Sequence, residues 1–191
     1  MVKQTYKYIA HNTVVGKSNV ELSNEDIFTL YKFFVLYSPC DGCSKQSKNF
    51  SIYGWTIGVN QHYDAPSLML KQRLNEVFNV DDHSSFTLTH DNDLADAFKK
   101  MDLVDGFPED LTWERAVIGK TEGSNVYYKL FRRIRNSLAH GNFSLHDVGG
   151  VTFFVMQDNT NHNVTARMIF RKSTLLRWIE IIEEGPPRMV M

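Results

Sequence analysis

Cysteine is nearly absent from this chain, and the two residues present lie three positions apart, so no disulfide framework of the kind that small secreted domains rely on can be argued. Long apolar runs are missing as well. No stretch approaches the roughly 20 residues of a membrane span, and Met1 to Lys7 leads into no apolar segment of the signal-peptide type. The expectation is a soluble, cytoplasmic protein with no membrane partner. Net charge is also close to nil, −1 at pH 7, which excludes a strong pull of the whole molecule toward nucleic acid. There is no internal repeat, low-complexity tract or clear linker. The 191 residues therefore read most economically as a single domain, long enough to bury a core.

What is present is a globular composition, 42% hydrophobic and 13% aromatic, with an uneven spread of charge. Between Glu76 and Glu114 eleven acidic residues face two basic ones, Lys99 and Lys100. From Arg115 to Arg135 the balance reverses, with six basic residues against one acid, Glu122. The acidic stretch is best read as a solvated face. The basic stretch coincides with the most informative helix of the chain.

The elements are read from periodicity. Residues 1 to 22 give little, beyond alternating Tyr6, Tyr8 and Ile9 and a turn or short strand at Val14-Val15-Gly16. Ser23 with Asp26 reads as a capping box for a helix that turns Ile27, Leu30, Tyr31, Phe34 and Tyr37 inward and ends at Pro39. Residues 44 to 65, with Phe50, Ile52, Trp55, Ile57 and Val59, fit a strand, a packed loop or a partner surface. Pro66 suits the first turn of a helix with Leu70, Leu74, Val77 and Phe78 inward, closed by Asp81-Asp82. After a polar loop, Asp91 or Asn92 caps a third helix carrying Leu94, Ala97, Phe98 and Met101. Leu111 to Ile118 reads as a short helix with Trp113 and Val117 inward, closed by Gly119. Val151 to Met156 and Val164 to Phe170 are β-prone, with 157–163 as a hairpin loop. Ser173 or Thr174 then caps a last helix, about 174–184, with Leu175, Trp178, Ile179 and Ile182 inward.

Cys40-Asp41-Gly42-Cys43 has the spacing by which two thiolates grip one Zn²⁺. A closed site needs two further ligands, and His62, His83 and His90 show no ligand spacing among themselves. Two loop cysteines are the simpler reading, and a zinc-supported interaction domain built on Cys40 and Cys43 is a distant third reading of the whole chain.

The helix at about 124–140 organises the rest. With Ser124 as its N-cap, Tyr127, Leu130, Phe131, Ile134 and Leu138 form one apolar stripe. Arg132, Arg133, Asn136 and His140 gather opposite it, Asn136 and His140 being four apart and so neighbours. Arg135 lies at the edge of the stripe. Gly141 reads as the left-handed residue that ends the helix and leaves His140 beside unpaired carbonyls, a position that favours a cation.

Arg135, four intervening residues and His140, with polar Asn136 directly after the arginine, resemble the Arg-x4–6-His motif of the HEPN superfamily, many of whose members are metal-independent ribonucleases. Gly141-Asn142-Phe143 and a hairpin after the helix are similar to several HEPN branches, and the resemblance covers about the last 70 residues. It implies a mostly α fold, a helical bundle with a β-hairpin, about 143–170, inserted between the motif helix and the last helix. It also implies RNA as substrate, no cofactor, cleavage to 2′,3′-cyclic phosphate and 5′-OH ends, and a bacterial toxin or anti-phage defence setting. On that reading His140 is the general base or acid, Arg135 holds the scissile phosphate, and Asn136 orients His140 or the phosphate. Arg132 and Arg133 then steer the RNA backbone.

One motif supplies one histidine, and HEPN ribonucleases dimerise so that two motifs share a cleft; the small Ala139 on the polar face suits such an approach. The resemblance therefore implies a homodimer with a composite active site. An antitoxin or a larger defence complex is a further possible partner. In toxins silenced by a nucleotidyltransferase the motif continues His-x-Tyr, whereas Asn142 stands here, which removes the tyrosine that such regulation modifies. The alternative is a non-catalytic HEPN module that binds RNA, a nucleotide or a protein. A plainer account of the same residues has His140 bonding the last carbonyls of its helix and Arg135 pairing with an acid.

Overall fold

A strand buried on both faces carries apolar side chains at nearly every position, and such strands form the middle of this molecule. The computed structural model describes residues 11–40, 42–56, 65–78, 85–90, 93–119 and 126–187. Among them the order is α1 (Asn24–Leu30), a π-helical continuation (Tyr31–Leu36), a 3₁₀ turn (Phe50–Tyr53), α2 (Ala65–Phe78), β1 (Ser85–Thr89), α3 (Leu94–Lys100) and β2 (Arg115–Gly119). Then follow α4 (Val126–Ala139), β3 (Phe143–Val148), β4 (Val151–Thr160), β5 (Asn163–Arg171) and α5 (Lys172–Glu184). The strands form one sheet in the order β1-β2-β5-β4-β3, with β1 and β2 parallel and the other pairs antiparallel. Five α-helices and a five-stranded mixed sheet make this an α/β fold, which overturns the expected mostly helical bundle with an inserted hairpin.

The reason is visible in β2. Arg115 to Gly119 is buried throughout. Ala116 and Ile118 face the cluster under α2, α4 and α5, while Val117 faces the opposite cluster with Leu94, Phe98 and Leu111. Burial on both sides erases the polar alternation that identifies a strand, and the spacing of Trp113 and Val117 imitates a helix instead. The expected helix over Leu111 to Ile118 is therefore absent, its second half being strand β2 and Leu111 to Glu114 irregular. Its parallel partner β1 sits in what the sequence presents as a polar loop, with Ser85, Thr87 and Thr89 at alternate positions. α3 crosses between the two, as a parallel pair requires.

The expected 157–163 loop shrinks to two residues. Strands β4 and β5 pair from Phe153 with Arg171 down to Thr160 with Asn163, and Asn161 and His162, both at positive φ, make the turn. The last helix begins at Lys172, with Arg171 as N-cap and no capping bond from its side chain. Thr174 does not cap it. Buried Glu114 acts there instead, accepting from the Arg171 N–H at 2.8 Å and from the Thr174 hydroxyl at 2.9 Å.

At the N-terminal end Ser23 caps α1 by accepting from the Asp26 N–H at 3.1 Å. After Leu30 the helix widens to π geometry, the Tyr37 N–H reaching the Lys32 carbonyl five residues back. Leu30, Phe33 and Phe34 are buried. Ile27 and Tyr31, expected inside, lie on the exposed side, because the face that meets the core runs through Leu30, Phe33 and Phe34. Phe34, Phe50 and Trp178 each pack a ring on Phe131 of α4, with centroids 5.7 Å away. Trp55 and Trp178 are buried and donate their indole N–H groups to the carbonyls of Ile182 and Leu74. Asp81-Asp82, Asp91, Asn92, Ser124 and residues 1–10 lie outside the described residues. No helix in the described part is long and apolar enough to cross a membrane.

Candidate active site

The motif residues stand on the last turn and a half of α4, whose apolar stripe of Tyr127, Leu130, Phe131, Ile134 and Leu138 is buried against the sheet and α5. That burial sets the rotation of the helix and so decides which way its polar residues look. Arg132 and His140 are exposed, and Arg133, Arg135 and Asn136 are half-buried.

The end of α4 is closed from several sides. Gly141 is left-handed at φ 67°, its N–H meets the Leu138 carbonyl at 3.3 Å, and the Asn142 N–H meets the Ser137 carbonyl at 2.8 Å. These two bonds define a Schellman end. Tyr31 adds a third, its hydroxyl donating to the Leu138 carbonyl at 3.0 Å. Backbone pairing continues into the sheet, where the Gln157 N–H donates to the Asn142 carbonyl at 3.0 Å. The helix end is thus tied to β4 at one side and to the π segment at the other.

Asp158 of β4, only 1% exposed, is the residue that sequence reasoning missed. Its Oδ2 accepts from Arg133 Nη1 at 2.8 Å, from Asn136 Nδ2 at 3.2 Å and from the Thr165 hydroxyl at 3.1 Å. Because Asn136 gives its amide N–H to Asp158, its carbonyl oxygen faces the other way and accepts from Arg135 Nη1 at 3.1 Å. A buried carboxylate therefore orients the motif arginine through one asparagine. Arg135 Nε is buried with no partner among the described residues. No hydrogen bond of the His140 ring is found among them either; only its backbone N–H is engaged, with the Asn136 carbonyl at 3.0 Å.

Arg133, read as a steering group for RNA, pairs with Asp158 inside the protein, and Arg132 is exposed. The Asn136 carbonyl oxygen accepts from Arg135. Asp158 stood in the expected hairpin loop, where an acid needs no explanation. The signal that points to it is Thr165 at a matching height on the next strand, which becomes readable only once the turn is placed at Asn161-His162.

The two cysteines lie against the same helix. Cys40 is buried, and its thiol donates to the Tyr128 carbonyl of α4 at 3.3 Å. Its hydrogen bond with Cys43, together with burial, pushes the Cys40 thiol above its ordinary pKa, the opposite of what a thiolate ligand needs. Among the described residues no group of three His, Cys, Asp or Glu side chains is placed to hold a metal ion; His62 and His83 lie outside them.

A family model described as HEPN pEK499 p136 matches residues 64–184, more than half of the chain and the span from α2 to the end of α5. No curated protein and no solved structure matches the chain.

Proposed function

Because the chain belongs to the HEPN pEK499 p136 family, we propose that it is a metal-independent endoribonuclease in which Arg135 and His140 do the chemistry. The observation that carries this reading is what surrounds His140. A histidine kept only to cap its helix bonds the last carbonyls. Here the Leu138 and Ser137 carbonyls already take the N–H groups of Gly141 and Asn142 and the hydroxyl of Tyr31, so the imidazole is left to solvent. Arg135 likewise meets no acid among the described residues and bonds there to Asn136.

The chemistry follows from the groups. His140 takes the proton of a ribose 2′-OH as that oxygen bonds to phosphorus. Arg135 holds the non-bridging oxygens as charge develops on them in the phosphorane. The bond from phosphorus to the 5′-oxygen then breaks, and that oxygen needs a proton. The products are a 2′,3′-cyclic phosphate and a 5′-OH, with no metal in the reaction. One chain offers one motif histidine, so a second copy facing the first supplies the acid, and the active form is a homodimer with a composite site. Exposed Arg132 draws the RNA backbone toward it. A bacterial toxin or anti-phage defence role, with an antitoxin or defence-complex partner, is the setting that the family resemblance suggests.

The test is to incubate wild type and His140→Ala with mixed RNA in the presence of a chelator and examine the ends. Cyclic phosphate ends from wild type alone support the proposal, and equal cleavage by both removes His140 from the mechanism. No cleavage by either folded dimer favours the second reading, a non-catalytic HEPN module binding RNA, a nucleotide or a protein. That reading draws its support from the apolar groove beside Arg135.

A further inference from the structure

The outer face of α1 and the π segment is uncovered, and Phe28, 66% exposed, stands on it with Ile27, Tyr31 and Leu36. With Lys32 and Arg135 these residues line an open groove of about 690 Å³, inside the roughly 300–1,000 Å³ usual for small-ligand sites. Among the described residues both charged groups in its walls are cations, and no acid lines it. Lys32 Nζ sits 5.6 Å from the centroid of the Phe28 ring. Aromatic faces beside cations suit a flat base that carries a phosphate, because stacking tolerates any base and the cations hold the backbone.

Arg135 belongs to both places. It is the motif arginine and it is a wall of the groove. A phosphate held on Arg135 therefore leaves its adjoining nucleoside within reach of Phe28 and Tyr31. Tyr31 fixes the relation of the two by its hydroxyl bond to the Leu138 carbonyl, two residues before His140. We propose that this groove is a base-stacking subsite for the nucleoside next to the phosphate bound by Arg135, and hence that the substrate is single-stranded RNA with an unstacked base. Duplex RNA keeps its bases stacked and paired and cannot offer one. The proposal rests on reading Arg135 as the phosphate-binding group.

The experiment uses a short single-stranded RNA carrying 2-aminopurine and 2′-O-methyl groups, which bind but leave no 2′-OH to react. Wild type should quench the 2-aminopurine fluorescence on binding, and a duplex of the same sequence should compete poorly. Phe28→Ala, which removes an exposed ring and leaves the core alone, should weaken binding roughly 5- to 150-fold, the range of one aromatic–base stack, and lose the quench. Phe28→Trp should keep both. Unchanged affinity and quench in Phe28→Ala overturn the subsite, as does loss of the dimer on sedimentation without loss of the quench, which makes a second copy the occupant. Cleavage is read separately on unmodified RNA. Phe28-dependent binding without cleavage by wild type keeps the subsite and sinks the nuclease; full cleavage by Phe28→Ala with unchanged binding does the reverse.

Discussion

Arg133→Met should destabilise the protein far more than the loss of an ordinary surface ion pair. The Asp158 side chain is 1% exposed and that of Arg133 11%, with 2.8 Å between Nη1 and Oδ2. Exposed pairs contribute about 0–1 kcal/mol. Removing one member of a buried pair costs about 3–5 kcal/mol, because the remaining charge has lost its partner. Asn136 and Thr165 still donate to Asp158 in the variant, which puts the expected loss near the lower end, about 3 kcal/mol. For a chain of this size each kcal/mol moves the melting temperature about 2–4 °C, so a fall of about 6–12 °C should appear in thermal unfolding followed by circular dichroism. The sharper result is the double variant. Asp158→Asn removes the stranded charge while keeping a carbonyl oxygen for the two remaining donors, so Arg133→Met with Asp158→Asn should be more stable than Arg133→Met alone. If the two losses simply add, or if Arg133→Met shifts the midpoint by less than about 2 °C, the buried-carboxylate argument fails.

Two further outcomes are expected. Gly141→Ala meets no atom within 4 Å of its new Cβ but keeps a φ of 67°, so only backbone strain of about 1–2 kcal/mol should show; Gly141→Asn should lose less, and equal losses from the two would show that the left-handed end is not what matters. Burial lowers the pKa of His146 below its ordinary 6.5, so the unfolded chain binds more protons there than the folded one, and stability should fall as pH drops below about 6.5 and level off above it. His146→Asn should flatten denaturant-midpoint curves between about pH 7 and 5.5, and an unchanged slope would assign that dependence to other groups.

The sequence made one face of the molecule readable and hid the other. The stripe of α4 is amphipathic because one side of it meets water, and the same contrast marks α2 and α5. β2 has no such contrast, since Val117 and its neighbours Ala116 and Ile118 are buried on opposite faces. β1 is hard to read for the opposite reason, with threonine and serine at alternate positions of a strand that is only half-buried. At the site the motif gave Arg135, Asn136 and His140 by spacing along one helix. Asp158 comes from a strand 22 residues further on, and nothing in linear spacing connects it to Asn136. The π turn was also unreadable, because Tyr31 to Leu36 has the composition of an ordinary helix.

That turn has a consequence for chain length. Its five-residue bond from the Tyr37 N–H to the Lys32 carbonyl accommodates one residue more than an α-helix would. Each residue of an α-helix advances about 100° around the axis. Inserting one further residue between Tyr31 and Leu36 would exceed what the wider turn absorbs and swing α1 by about that angle relative to Phe33 and Phe34. Phe28 would turn away from Arg135 while every side chain of the motif stayed in place. A single-codon insertion far from the motif thus separates the aromatic wall from the arginine, a lesion that an inspection of the motif alone would miss.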